Sequence, residues 1–208
     1  MKTVRPFDIL VPAVAEPEKF AVVSCDQFTS QRDYWDKLDE YVGDAPSALR
    51  LIFPEVYLED GDYEERIRAI NAAMYDYLEK GVFETLKDSY ILVRRDTAYG
   101  YTRLGIVAAV DLEDYSYEYP TDAVIRSTEG VVANRIPPRL KIRKDAPIEL
   151  PHVMLLLDDR DKTVIEPFYK RRAELKKLYD FDLNMHGGHL TGWQIPAAEF
   201  DAVMDAYA

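Results

Sequence analysis

The chain has 208 residues, 48% hydrophobic and 12% aromatic, with 12 prolines and 9 glycines, a composition that can bury a sizeable core and that excludes a disordered or low-complexity chain. Its 38 acidic and 26 basic residues leave a formal net charge of -12, which opposes binding to a nucleic-acid backbone or an anionic lipid surface. The single cysteine, Cys25, excludes an internal disulfide and fits a reducing compartment. No apolar run approaches the roughly 20 residues of a membrane helix, and Met1-Lys2-Thr3-Val4-Arg5-Pro6 lacks the apolar stretch of a signal peptide. The reading is a cytoplasmic protein with no nucleic-acid and no membrane partner.

Phe7 to Val11 and Phe20 to Ser24 are apolar-rich runs separated by a segment containing Pro12 and Pro17, and both read as strands. Thr29 or Ser30 caps a following helix through about Tyr41, whose apolar face is Tyr34, Trp35, Leu38 and Tyr41, with Gly43 ending it. Ala48 to Phe53 reads as strand. Asp62 starts the clearest helix, Tyr63 to Lys80, because Ile67, Ile70, Ala73, Met74, Tyr77 and Leu78 recur at helical spacing and Gly81 follows. Ile70, Met74, Tyr77 and Leu78 are expected on one buried face.

Tyr90 to Arg94 and Tyr101 to Val110 form an antiparallel hairpin across Asp96-Thr97-Ala98-Tyr99-Gly100. Val124 to Arg126 and His152 to Leu157 read as further strands, the second almost continuously apolar and therefore central in a sheet. Val164 to Tyr179 reads as a basic amphipathic helix. After Met185-His186-Gly187-Gly188-His189 a short strand runs through Ile195, and a last helix spans about Pro196 to Tyr207. No repeat is visible, and the irregular alternation predicts an α+β fold, a mixed and largely antiparallel sheet with flanking helices. Residues 1–208 read as a single globular unit.

The densest candidate for chemistry is 126–144, where Arg126, Arg135, Arg139, Lys141, Arg143 and Lys144 face Glu129 as the one internal acid. Arginine forks bind phosphate or carboxylate bidentately, and the Ser127 and Thr128 hydroxyls beside Gly130 add donors. Pro137-Pro138 fixes the backbone between Arg135 and Arg139. The expectation is one anion pocket on these side chains; the competing reading is a solvated basic face paired with the acidic remainder.

Asp158-Asp159-Arg160-Asp161 is either a magnesium site against nucleotide phosphates or an exposed Asp-rich turn. His186 and His189 are two imidazoles where a zinc site needs more, so no structural zinc is expected and the glycines serve a positive-φ turn. His152 reads as a structural histidine. Cys25 reads as an inert thiol, and Asp26 as a turn residue, a general base or a metal ligand. The Walker pattern, the dinucleotide fingerprint, the nucleophile elbow and the paired-histidine zinc motif are absent from the sequence.

Several runs together resemble a large bacterial family, domain of unknown function 1015. They are Val23-Ser24-Cys25-Asp26-Gln27-Phe28-Thr29 with Tyr34-Trp35, Val42-Gly43-Asp44-Ala45-Pro46-Ser47, and Ile125-Arg126-Ser127-Thr128-Glu129-Gly130 with Arg135-Ile136-Pro137-Pro138-Arg139. Leu150-Pro151-His152-Val153-Met154 and the Gly187-Gly188-His189 turn are also similar. The resemblance implies a distant likeness to ParB- and sulfiredoxin-type folds, some of which bind nucleotides and transfer phosphoryl groups to small substrates. Members of that family continue into a C-terminal part reading roughly Asp-Gly-x-His, a motif this sequence lacks, so the resemblance implies the N-terminal part of a longer protein.

Two functions follow as expectations. In the first, the protein is an enzyme that handles a nucleotide or another phosphorylated small molecule by kinase-like phosphoryl transfer, with Arg126, Ser127, Thr128, Arg135, Arg139 and Arg143 as anion contacts and Asp26 or Glu129 as the catalytic carboxylate. In the second it is a non-enzymatic binding or regulatory module whose arginine-rich segment docks an acidic partner, with the 15 tyrosines supplying interface surface. The sequence specifies neither a cofactor nor an oligomeric state.

Overall fold

The computed structural model describes residues 3–128, 130, 132–133 and 136–207. The chain opens with β1 (Val4–Arg5) and β2 (Phe7–Pro12), then a single helical turn, α1 (Pro17–Phe20), and α2 (Arg32–Val42). Two 3-10 turns, Ala48–Leu51 and Glu55–Tyr57, lead into α3 (Tyr63–Glu79). The long β3 (Phe83–Asp96), then β4 (Thr102–Val107), β5 (Ala109–Val110), β6 (Tyr115–Ser116) and β7 (Ile125–Arg126) follow. The last third carries α4 (Ile136–Arg143), α5 (Glu166–Lys170), β8 (Lys177–Leu183), β9 (Gly188–Pro196) and α6 (Ala197–Tyr207).

The fold is α+β around an antiparallel sheet in the order β2-β3-β9-β8. At 14 residues, β3 is long enough to carry β2 and β4 successively on one side: β2 pairs with its first half and β4 with Ile91 to Asp96. β9 runs antiparallel along the other side, from Ser89↔Pro196 to Asp96↔His189. Gly188 opens β9 at φ +92, and a Cβ there would stand 2.0 Å from the Asp96 carbonyl oxygen, so the close approach of turn and strand admits glycine alone. Strand alternation sends Tyr90, Leu92, Trp193 and Ile195 to one face, against Val164, Phe168 of α5 and Phe200 of α6. The opposite face buries Ile9, Val11, Leu86 and Ile91.

A helical half packs separately. Ile67, Ile70, Met74 and Tyr77 of α3 pack with Phe20, Leu51 and Phe53, and Trp35, Leu38 and Val42 of α2 form a neighbouring cluster. The helical period of α3 is therefore realised, except that Leu78 is 38% exposed and lies off the buried face. Asn184, in the β8–β9 turn, ties the halves together by donating to the carbonyls of Glu18 and Ala21 at 2.6 and 2.7 Å. No helix among the described residues is long and apolar enough to cross a membrane.

Four expected elements are corrected. Phe20 to Ser24 is the end of α1 followed by irregular chain: Phe20 stacks edge-on against Phe83 at 5.8 Å, and Val22 and Val23 pack on the Trp35 cluster, so this apolarity serves docking. Ala48 to Phe53 begins as a 3-10 turn because the Ser47 hydroxyl accepts from the Leu49 amide at 3.2 Å, while Tyr77 Oη accepts from the Ser47 amide at 3.0 Å. His152 to Leu157 pairs with no strand among the described residues and leaves Val153 84% and Leu156 83% exposed; apolarity without a ladder partner does not make a central strand. Val164 to Tyr179 divides, since Arg171 leaves helical geometry at φ -101, ψ 19, and Lys177 to Leu183 alternates as strand β8. The cap expected at Thr29 or Ser30 is also displaced: α2 begins after Gln31, with no side-chain cap bond.

Candidate functional site

The loop after α1 carries Ser24-Cys25-Asp26. The Ser24 hydroxyl donates to Asp26 Oδ1 at 2.6 Å, and this bond, ahead of the nearby Arg139 charge, holds the Asp26 carboxyl below its ordinary range. The Glu55 amide donates to the Cys25 carbonyl at 2.9 Å, fixing the loop to the 3-10 turn at Glu55–Tyr57. Arg139 of α4 then reaches across: its Nη2 donates to Glu55 Oε1 at 2.6 Å and lies 3.8 Å from Asp26 Oδ2. Three segments distant in sequence thus assemble two carboxylates around one guanidinium. Burial, followed by the charge of Asp26, pushes the Cys25 thiol up, which disfavours the thiolate.

Segment 53–57 also walls a cleft of about 400 Å³ between α2 and α3. Its floor is Trp35, Phe53, Ile70 and Ala73, and its rim carries Asp36, Arg50 and Arg66. The Tyr57 ring sits under two guanidinium groups, Arg32 at 4.9 Å and Arg66 at 4.6 Å. An apolar floor with few charged rim groups is the ordinary form of a small-molecule site. These cleft residues went unread in the sequence because Arg32, Tyr57 and Arg66 come together only when α2 and α3 pack; the faint signal was the aromatic-rich run Phe53 to Tyr57 between two arginine-bearing helices.

The remaining expected contacts separate. Arg143 Nη1 pairs with Glu149 at 3.0 Å, Lys141 pairs with Glu64, and Arg126 Nε donates to the Ala123 carbonyl at 3.2 Å. Ser127 is hydrogen-bonded to Tyr115, and Thr128 is exposed. Glu129 and Arg135 lie outside the described residues. Among the described residues, therefore, Arg126, Arg139 and Arg143 do not converge: only Arg139 joins the Asp26 cluster, and Arg139, Lys141 and Arg143 each meet a carboxylate.

In the 158–161 turn, Asp159 accepts from the Thr163 and Val164 amides at 3.0 and 2.8 Å, a structural role. Among the described residues no group of three or more His, Cys, Asp and Glu side chains is arranged to hold a metal ion. His152 is exposed. In the β8–β9 turn, Met185, His186 and Gly188 all take positive φ.

Residues 4–207 match the model of a family described as protein of unknown function (DUF1015). No curated protein and no solved structure matches the chain.

Proposed function

The chain belongs to the DUF1015 family, and from that premise we propose that it is an enzyme handling a nucleotide or another phosphorylated small molecule by phosphoryl transfer. The observation that carries this reading is the meeting of Asp26, Glu55 and Arg139 at segment 53–57, beside the aromatic-walled cleft. Phosphoryl transfer asks little covalent chemistry of a protein: it needs a carboxylate to orient the acceptor hydroxyl and cations to offset charge on the moving phosphoryl group. Asp26, ionised at neutral pH, accepts the hydrogen bond of the attacking hydroxyl and takes its proton as the new ester bond forms, while the P–O bond to the donor breaks and the shortened phosphate donor leaves with that electron pair. Arg139 offsets the developing negative charge, and Glu55 holds it in position. Tyr57, half-buried at the cleft, gives the organic part of the ligand a surface to pack on.

A docking module built on segment 126–144 draws less support, since Lys141 and Arg143 are already met by Glu64 and Glu149. The test is turnover of nucleoside triphosphates with a panel of hydroxyl and amine acceptors, with and without magnesium. Asp26→Asn is expected to lower the transfer rate by about 10²–10⁴-fold with the unfolding midpoint little changed. Full activity in that variant would remove Asp26 from the mechanism.

A further inference from the structure

The five-residue loop between β3 and β4 sets Arg95 directly opposite Arg103. Opposed residues of an antiparallel pair share a face with Cβ atoms about 4.5–5.5 Å apart, and like charges so placed repel. Several other guanidinium groups meet an acid: Arg94, on the other face of β3, meets Asp96 at 3.1 Å, and Arg139 meets Glu55. Arg95 and Arg103 meet no carboxylate among the described residues. Arg95 Nη2 donates to the Gly187 carbonyl at 3.2 Å, and its buried Nε has no hydrogen-bond partner among the described residues. Arg103 Nη1 reaches only the Met154 sulfur, at 3.9 Å.

In a chain with 38 acidic residues, two facing cations without an acid between them are conspicuous. Burial, and then the charge of Arg103, lower the pKa of Arg95, the signature of a cation lacking compensation. Room for a compensating anion lies beside the pair. Gly105, two residues from Arg103 on the same face and opposite Val93, has, apart from its own chain neighbours, no described residue within 4 Å of the place where a Cβ would stand. On the β9 side of Val93 the corresponding space is filled, since the Tyr179 ring lies over Gly192.

We propose that Arg95 and Arg103 form an anion site that takes the phosphate group of a small phosphorylated molecule over Gly105. Two guanidinium forks present several N–H donors to one tetrahedral anion, and its charge removes their repulsion. The ligand's identity rests on the proposed function; the site itself does not. It supplies the phosphate contact that segment 126–144 does not assemble.

Inorganic phosphate, titrated at constant ionic strength against chloride, is the probe, read by thermal unfolding and by the amide resonances of Arg95, Arg103 and Gly105. Wild type should melt higher in phosphate than in chloride. Arg103→Ala should weaken phosphate by about tenfold, yet melt no lower than wild type in chloride, because the variant relieves a like-charge pair. A residue with a purely structural role would lower that midpoint. Gly105→Leu keeps both cations, fills the open space and should also weaken phosphate. Equal melting of wild type in phosphate and chloride would overturn the site. A full phosphate response in both variants would place the anion elsewhere and overturn this inference while leaving the phosphorylated-ligand reading standing; turnover lost in Asp26→Asn with this site intact supports both.

Discussion

Both ring nitrogens of His189 face carboxylates, Nδ1 at 2.7 Å from Asp182 Oδ1 and Nε2 at 2.7 Å from Asp180 Oδ1. Serving two acceptors requires both N–H groups, so the arrangement favours the imidazolium; Asp182 first and Asp180 second raise the pKa of His189. Lys177, and then His189, pull Asp180 down from 3.8 to about 2. Because the folded pKa of His189 lies above its unfolded value, its stabilisation is complete below about pH 6.5 and is lost as pH rises through the folded value. The Asp180 contribution runs oppositely, present above 3.8 and lost as pH falls toward about 2. His189→Gln is therefore expected to lower the unfolding free energy near pH 6 by less than about 1 kcal/mol, the side chain being one-third exposed, and to flatten its decline across neutral pH. An unchanged slope between wild type and variant, measured by urea unfolding across that range, would show that the bridges carry nothing. At this scale residue types were legible and partnerships were not. Asp26 and Arg139 both stand out in the sequence as candidates, yet Arg139 reaches Glu55 across a separation of 84 residues, which no local pattern encodes. Arg103 was equally visible as a letter, but its opposition to Arg95 depends on strand register.

The elements divide according to whether their stabilising contacts are local. α3 announces itself through period and its terminal Gly81 at φ +65, because a helix satisfies its own backbone groups and only its face needs a partner. Met74 is 3% and Leu78 38% exposed, so Met74→Ala should cost about 2–4 kcal/mol and Leu78→Ala less than about 1 kcal/mol. Comparable losses from the two in denaturant titrations would contradict the assigned face. Strands lack that self-sufficiency. His152 to Leu157 has strand composition but no pairing strand among the described residues, whereas the mixed run Lys177 to Leu183 becomes β8 because β9 offers it a ladder. The β3–β4 hairpin was readable because its turn lies within the sequence it joins; the pairing of β3 with β9 was not.

Across the whole molecule, an excess of acid pairs off much of the basic charge and leaves few places where an anion is welcome. The Arg95–Arg103 pair on the sheet is one such place, whereas the Asp26–Arg139 cluster, at segment 53–57 beside the aromatic cleft, sets two carboxylates around its one guanidinium. The β8–β9 turn joins these regions, since Asn184 holds the carbonyls of α1 and Gly187 accepts from Arg95. A net charge of -12 would repel a phosphorylated ligand at long range, so whatever affinity exists must come from these local cations. The most direct measurement is phosphorus NMR of a mixture of nucleotides and sugar phosphates with the protein added, with and without magnesium. Selective broadening of at least one ligand's resonances, reversed by excess inorganic phosphate, is the expected result; sharp, unshifted lines for every ligand under both conditions would contradict a phosphorylated ligand for this protein.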